Sequence, residues 1–564
     1  MTRDFIKEKC DKKGNIRQGN VTTEEQAGLR SIKKKVKDQE WIVMPSDKSG
    51  RLTANTKDNY MEKIQPHKGE DATVSMEEVK KLESEMNGTT LQWGRILALG
   101  DRWDTAGRHW GRVKAALKTR ECMIPPLYGL PKDHKPTSQG EEHLGPPLRP
   151  VCGATESING ALSELLTEIL TTLGDRADTN KFVSRSTEEV MEALTRLNLK
   201  KMEDPLIFSL DVEGMYPNLN RAEVAKVVAR QFMKSDLEVE VDGRELGLYL
   251  AICYQAKREE LYELGLGEVG QRRRCPQGKT ILMTTAEVLT RNEATVSKFQ
   301  DQGRPPTPGE KKLMFSLALA EGVKTCMDHH LYSLNKETLL QDEGAPIGLR
   351  LAGAAAKVFM VDWCERFKEK LAVATRFIPS FQLHLLKFYV DDELEVTECL
   401  PLGSRLVEGD IRVVEEEKET DREVPGDQRT ATLIVEIANS VCPYTKLTVD
   451  YPSAHQTMWM PLLDIQVRVA EDKTIDWKFY RKPLSIPYFI LNRSAVSSKE
   501  KRTCLVQECL RRLRKHTASQ DGDLQGGSTR GHGRNDDEVR VPRGVQGRGA
   551  GVCPGRLQEA SEGQ

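Results

Sequence analysis

The sequence predicts an α+β fold, and three observations predict it. Strand-like and helix-like segments alternate irregularly, without the regular repeat of a βαβ protein. The strand-like runs are short and apolar, and the most apolar of them end on acidic residues. The composition, 38% hydrophobic and 30% charged over 564 residues, is poor in apolar side chains yet sufficient for a packed core. No internal repeat is visible, and the length fits roughly three or four structural units.

Each element follows from its pattern. Residues 156–171 (ESINGALSELLTEILT) space their apolar side chains as an amphipathic helix does. Residues 205–212 (PLIFSLDV) read as a buried strand ending at Asp211. Helical patterns follow Arg221 and cover 351–370. Residues 383–396 (LHLLKFYVDDELEV) read as two short strands with Asp391–Asp392 between them. Residues 461–482 read as a further hairpin turning near Glu471-Asp472-Lys473, and 498–516 as a helix. The last 48 residues, Thr517 to Gln564, hold 11 of the 43 glycines and no aromatic ring. They show neither helical nor strand period, and disorder is expected there. An RGG-like RNA-binding tail is the sharper reading, but acids balance its arginines.

Several classes are excluded. No apolar run approaches the ~20 residues that span a bilayer. The start, MTRDFIKEKCDKKGN, lacks an apolar core, so secretion is not expected. Twelve cysteines in a chain this long are no disulfide scaffold, and none forms a CxxC pair. Cys326, His329 and His330 lack a second ligand pair at zinc spacing, and Cys504 and Cys509 read as core thiols. The net charge of −1 argues at first against a nucleic-acid partner. It is a cancelling sum. Lys33, Lys34, Lys35 and Lys37 form a basic run, and residues 95–135 carry nine Lys/Arg against four acids. Residues 401–430 carry five Lys/Arg against nine acids, including Glu415, Glu416 and Glu417. A solvated face is the ordinary reading of any one such run.

The strongest local signal is Phe388-Tyr389-Val390-Asp391-Asp392. Adjacent acids at the tip of an apolar hairpin repel each other, and a divalent cation resolves that conflict. Side chains alternate along a strand, so neighbouring acids reach one site only at a turn or strand end. Asp211, at the end of another apolar strand, is the third candidate. Three carboxylates with substrate phosphates form the usual oxygen set of Mg²⁺. Two such ions about 3.5–4 Å apart support in-line phosphoryl transfer. Tyr-x-Asp-Asp alone arises by chance in roughly a few chains per hundred of this length, so the pattern by itself leaves the matter open.

In order along the chain, further segments resemble a reverse transcriptase, most closely that of Penelope-like retroelements. MPSDKSGRLTANTKDNYMEK (44–63) resembles the family's N-terminal "ADKG…Y…K" block, PPLYGLPKDHKP (125–136) its "YGLPKIHK" block, and GPPLRPVCG (145–153) its "PLRPIVS" block. FSLDVEGMYPNL (208–219), GAPIGLRLAG (344–353), KFYVDDELEV (387–396) and YTKLTVD (444–450) resemble motifs A, B, C and D. PLLDI (461–465) with FYRKP (479–483) resembles "FLDI…VYRKP". The match runs from about Trp41 to Arg514.

The resemblance implies a right-hand polymerase. The N-terminal extension would cover 1–95, the fingers 96–200, and the palm 201–465 with inserts near 235–310 and 401–430. Residues 466–516 would hold the primer grip and a reduced thumb, and 517–564 the disordered tail. Asp211, Asp391 and Asp392 would bind two Mg²⁺ (or Mn²⁺), with the Val212 carbonyl as a backbone ligand. Tyr216 would occupy the steric-gate position against ribonucleotides, or be an ordinary palm aromatic. Lys132 and Arg149 would meet the dNTP triphosphate, which suits a point charge and a planar fork. His134 and Lys135 would face template or solvent. Gly344, Pro346 and Gly348 would let the backbone approach the nascent pair, with Gln341 before them. Lys446 would donate a proton to pyrophosphate or be a surface lysine. Tyr480, Arg481 and Lys482 would contact primer phosphates. Partners would be template RNA, a DNA primer and dNTPs, with any endonuclease supplied in trans and action in the nucleus.

The sequence also departs from the family. Leu349, Arg350 and Leu351 follow Gly348 in place of Ser-Pro, and Glu393 follows the aspartates where many relatives carry an apolar residue. About 130 residues separate Asp211 from Gly344, which implies the first insert. No GIY-YIG or RNase H pattern follows residue 516, and the helical pattern gives way to the tail. Two alternatives therefore accompany the reading. One is a telomerase-like or group II intron-type reverse transcriptase, against which the YGLPKDHKP and FYRKP segments speak. The other is a decayed copy that only binds nucleic acid.

Overall fold

The computed structural model describes residues 23–47, 52–97, 123–154, 157–250, 308–414, 423–480 and 498–513, apart from scattered positions within them. In chain order the N-terminal part forms α1 (Thr23–Lys37), β1 (Trp41–Pro45), β2 (Leu52–Thr56), α2 (Lys57–Ile64), β3 (Ala72–Thr73) and α3 (Met76–Leu97). Then come β4 (Leu127–Pro131), β5 (Leu148–Cys152), α4 (Gly160–Ala177), α5 (Thr187–Leu197), β6 (Pro205–Val212), α6 (Met215–Asn218) and α7 (Arg221–Lys234). After the first proposed insert follow α8 (Pro308–Asp328), β7 (Leu331–Leu334), β8 (Glu337–Leu340), α9 (Arg350–Ala374), β9 (Leu383–Tyr389) and β10 (Asp392–Glu398). The remainder is β11 (Ser404–Val407), β12 (Asp410–Val413), α10 (Gly426–Asn439), β13 (Leu447–Asp450), β14 (Met460–Leu462), β15 (Ile465–Val469), β16 (Ile475–Phe479) and α11 (Ser498–Leu513).

A four-stranded antiparallel sheet, ordered β13-β6-β10-β9, lies at the centre. It is apolar on both faces because both are covered. Phe208, Leu210 and Val212 of β6 join the large core built with α4, α7, α8 and α9. Ile207 of β6 and Leu394 and Val396 of β10 join a second core with α5 and the β14-β15-β16 sheet. Helices gathered on one face of an antiparallel sheet make this an α+β arrangement. Helix α9 is the central strut: Leu351, Phe359, Trp363 and Phe367 are among its many buried side chains, so it is apolar nearly all round.

One buried polar cluster fixes α9 against α7. Asp362, fully buried, accepts from Arg230 Nε at 2.8 Å and Nη2 at 2.7 Å, and from Gln231 Nε2 at 2.8 Å. Arg366 adds an ion pair at 2.8 Å. The partners hold the Asp362 carboxyl below its ordinary pKa despite the opposing effect of burial.

The N-terminal part is integrated with later segments. β3 pairs with β8, giving a β3-β8-β7 sheet. The Tyr60 hydroxyl accepts the Gly129 N–H at 2.7 Å, and Tyr60, Ile64, Leu148 and Leu339 share a small core. The first part of the acidic 401–430 segment is a packed hairpin, β11–β12, in which Asp410 pairs with Arg376 at 2.6 Å. Residues 415–422 of that segment, most of 235–310, and the 517–564 tail lie outside the described residues. Cys504 and Cys509 are half-buried on α11 rather than enclosed in a core. Among the described residues no helix is long and apolar enough to cross a membrane.

Candidate active site

The site is a row of side chains across the central sheet. β10 runs antiparallel to β6 with Asp392 opposite Asp211, Tyr389 opposite Asp392, and Thr448 of β13 opposite Asp211. Opposed residues share a face, so Thr448, Asp211, Asp392 and Tyr389 stand in line. Cβ atoms of such pairs lie about 4.5–5.5 Å apart, and opposed like charges are destabilising. Asp211 is solvent-exposed at the end of a strand that is otherwise largely buried.

Asp391 and Val390 form the two-residue turn between β9 and β10, so only Asp391 lies between the strands and Asp392 opens β10. Val390 has φ +62°, a left-handed conformation that a β-branched residue rarely adopts and that costs about 1–3 kcal/mol. The Asp391 carbonyl accepts the Val212 N–H at 3.2 Å, tying the turn to the end of β6. A strand residue points its N–H and C=O to the same side, so the Val212 carbonyl also faces the turn.

Three carboxylates and one carbonyl are hard oxygen donors, the type that Mg²⁺ or Mn²⁺ takes. Among the described residues no three His, Cys, Asp or Glu side chains close into a metal cage. The donor type fits a divalent cation, and the open set leaves room for oxygens of a ligand.

Tyr216 sits on the short α6, beside this row. Burial raises its pKa first, and the charge of Asp391 raises it further while that of Arg149 lowers it. The ring therefore stands within electrostatic reach of both. Its carbonyl accepts the Ala345 N–H at 2.8 Å, which joins it to the loop between β8 and α9. In that loop Gly344 has φ +70°, and a Cβ there would meet the Pro217 carbonyl oxygen at 2.4 Å. Gly348 has φ +112°, and its Cβ would lie 1.9 Å from the Cys152 oxygen. Neither position admits a side chain.

Arg149 extends from β5, half-exposed, and its Nε lies 3.2 Å from Asp47 Oδ2. Lys132 follows β4, with its N–H bonded to the Pro147 carbonyl at 2.7 Å. Lys135 is exposed. Gln341 donates through Nε2 to the Glu343 carbonyl at 2.6 Å and borders a cavity of about 490 Å³ shared with His67, Asp71 and Tyr332. Lys446 stands just before β13 and pairs with Glu213 at 2.9 Å, largely exposed. Tyr480 closes β16, its N–H bonded to the Asp464 carbonyl at 2.9 Å. His134, Arg481 and Lys482 lie outside the described residues.

Three features escaped the sequence reading. Arg221 is a buried clamp: Nε donates to the Gly344 carbonyl at 2.7 Å and Nη2 to the Gln341 and Glu343 carbonyls at 3.1 and 3.2 Å. Its Nη1 reaches Asp328 at 3.4 Å. Asp47 anchors Arg149 while its N–H donates to the Pro131 carbonyl at 2.8 Å, next to Lys132. The Asp47-Lys48 pair of the N-terminal block was the available signal. Glu393 and Glu395 are fully buried on the face opposite the aspartate row, paired with each other and with no other hydrogen-bond partner among the described residues. Burial raises both carboxyls, Glu393 to about 8.

No protein-family model and no curated protein matches the chain. Among solved structures it is similar to the telomerase of Candida albicans in complex with a fragment of telomeric RNA. That match has 12% identity and a TM-score of 0.42, over 86% of this chain and 60% of the other. Apo telomerase of Candida tropicalis gives 12% identity and a TM-score of 0.41, over 85% and 62%. The form truncated from its C-terminal domain gives 10% and 0.38, over 80% and 66%. The chain thus spans about 60% of the length of the first of these. At such scores the similarity carries no argument, and the reading of the site rests on its own geometry.

Proposed function

We propose that the chain is an RNA-directed DNA polymerase with a right-hand architecture, of the Penelope-like retroelement type. The observation that carries this reading is the aspartate row: Asp211 opposite Asp392 in register, with Asp391 in the adjoining turn tied to Val212. Opposed carboxylates at the ends of the two central strands bring like charges together. They suit a site that handles phosphate through divalent cations.

Asp211, Asp391, Asp392 and the Val212 carbonyl would hold Mg²⁺, which when bound supplies positive charge at the reacting phosphate. The chain's own residues position the reactants. Arg149, steadied by Asp47, and Lys132 receive the triphosphate of the incoming dNTP. Tyr216, held against Gly344 and Ala345, closes the space beside the sugar. The glycine loop, clamped by Arg221, sets the floor under the nascent base pair. A primer 3′-hydroxyl attacks the α-phosphate, the bond to the β-phosphate oxygen breaks, and pyrophosphate leaves. Catalysis by positioning and charge is the general pattern for such transfers. Lys446, paired with Glu213, is the candidate proton donor to pyrophosphate. Template RNA, DNA primer, endonuclease in trans and nuclear action belong to the same proposal.

The test is primer extension on poly(rA)/oligo(dT) with Mg²⁺, comparing the wild type with Asp391→Ala. Extension that the substitution abolishes supports the reading. Extension that the substitution leaves unchanged refutes the site. No extension by either favours a decayed copy that only binds nucleic acid.

A further inference from the structure

The edge strand of the central sheet borders a second groove. It has a volume of about 410 Å³ and lies between the exposed side of β9, the C-terminal end of α5 and the α9 surface. Arg196, Lys200, Lys368 and Lys387 line it, with His384, and among the described residues no Asp or Glu does. In a chain of net charge −1 such a concentration stands out.

The neighbouring acids are already engaged. Asp178 accepts the N–H groups of Phe182 and Val183 at 2.6 and 3.0 Å. Glu189 accepts from the Arg185 N–H at 2.8 Å, and Glu398 takes His384 Nε2 at 2.7 Å. Lys368 reaches the Asn180 side chain at 3.4 Å, and Lys387 donates to the Lys181 carbonyl. Burial lowers the Lys387 pKa. Asp178 and Glu189 offset part of this, while Arg196 and Lys181 add to it by repulsion. Converging cations with partly desolvated stems are an arrangement that an anion completes.

Position says which anion. Lys387 lies two residues before Tyr389 on β9, so it points to the same face as the aspartate row, about 7 Å along the strand. From there the groove leads away past Arg196 and Lys200. A polymer whose one end lies over Asp211 and Asp392 would find repeating positive charge along this edge.

We propose that this groove binds the phosphate backbone of a single-stranded nucleic acid running past the aspartate row. The proposal deepens the polymerase reading and rests on it for the choice of polymer. Contacts of this kind track the backbone and carry no sequence preference.

The experiment measures fluorescence anisotropy of a labelled oligouridylate of about twenty nucleotides with the full chain, without divalent metal. Arg196→Glu combined with Lys200→Glu changes two exposed side chains, and circular dichroism checks that the variant folds. Binding at about 0.1 M salt should weaken at least tenfold. The slope of log affinity against log salt should flatten by about 1.4, for two lost single-strand contacts. Lys368→Glu, on a different element, should weaken binding several-fold. Unchanged affinity and slope in the folded double variant overturn the proposal. So does polyglutamate competing as well as unlabelled oligonucleotide, which would assign the groove to acidic peptides. A wild type inactive in primer extension would refute the polymerase reading and leave this binding result standing.

Discussion

Replacing Glu395 with leucine should stabilise the chain and reduce its pH dependence. Glu393 and Glu395 point from β10 into the helical core, both with 0% exposure, paired with each other and with no other partner among the described residues. Burial pushes Glu393 up to about 8, and at Glu395 the charge of Glu393 adds to burial. In the unfolded chain a glutamate titrates near 4.3. Between those values the folded chain holds two protons that the unfolded chain has released. The sign is therefore fixed: stability is full below the unfolded pKa and is lost as pH rises toward the folded values. One such group gives a slope of about 1 kcal/mol per pH unit, and a second raised carboxyl adds to it in the same direction. His330 acts in the opposite direction. Burial and Arg221 depress it to about 3, so it matters only below its unfolded value near 6.5. The clean window is thus pH 6.5–7.5. Across it the wild type should lose stability as pH rises, by on the order of 1 kcal/mol or more, and Glu395→Leu should lose less. Urea unfolding followed by tryptophan fluorescence at three pH values reads both slopes. A wild-type midpoint that is flat or rises with pH refutes the reasoning, as does a variant slope equal to that of the wild type.

Asp211→Asn should abolish primer extension. Tyr216→Ala should raise ribonucleotide incorporation in the same assay, and unchanged discrimination means the ring is not the gate. Asp362→Ala should destabilise by about 3–5 kcal/mol, because Arg230 and Arg366 lose their buried partner; a loss below 1 kcal/mol contradicts the cluster's role. Gly348→Ala should reduce extension or folding far more than Gly153→Ala, where a Cβ meets nothing within 4 Å. Equal effects would remove the argument from close approach.

The central sheet was legible because its strands obey simple rules. PLIFSLDV is a short apolar run with one acid near its end, and β6 spans Pro205–Val212. The helix expected over 351–370 lies inside Arg350–Ala374, and the turn expected near 471–473 lies between β15 and β16. Other elements hid behind unusual turns. The β7–β8 hairpin turns at Asn335-Lys336, both with positive φ, where Asn-Gly is the recognisable signal. The β11–β12 hairpin turns at Glu408-Gly409 within a segment whose charge reads as solvated. The burial of Glu393 and Glu395 was illegible for a different reason. Glu-x-Glu alternation on a strand signals a wet face, and only the long-range arrival of the helices makes that face dry. Of the site, the carboxylates showed in the sequence. The Arg221 clamp did not, because three backbone carbonyls leave no sequence mark.

The same clamp bears on how the chain tolerates growth. Arg221 opens α7 and Asp328 closes α8, and their contact at 3.4 Å holds these two ends beside the glycine loop. At the other ends Lys312 donates to the Ser235 carbonyl, so the two helices run antiparallel. Helix α7 has 14 residues, a length of about 21 Å. The chain leaves α7 and enters α8 at that far end, and the residues after α7 still pack into the core: Val241, Leu246, Tyr249 and Leu250 are buried there, with Tyr249 edge-on to Trp93 at 5.5 Å. A change of chain length between Leu250 and Pro308 would therefore enter the helical pair at the end away from the glycine loop, and the register of that loop against Arg221 would be kept.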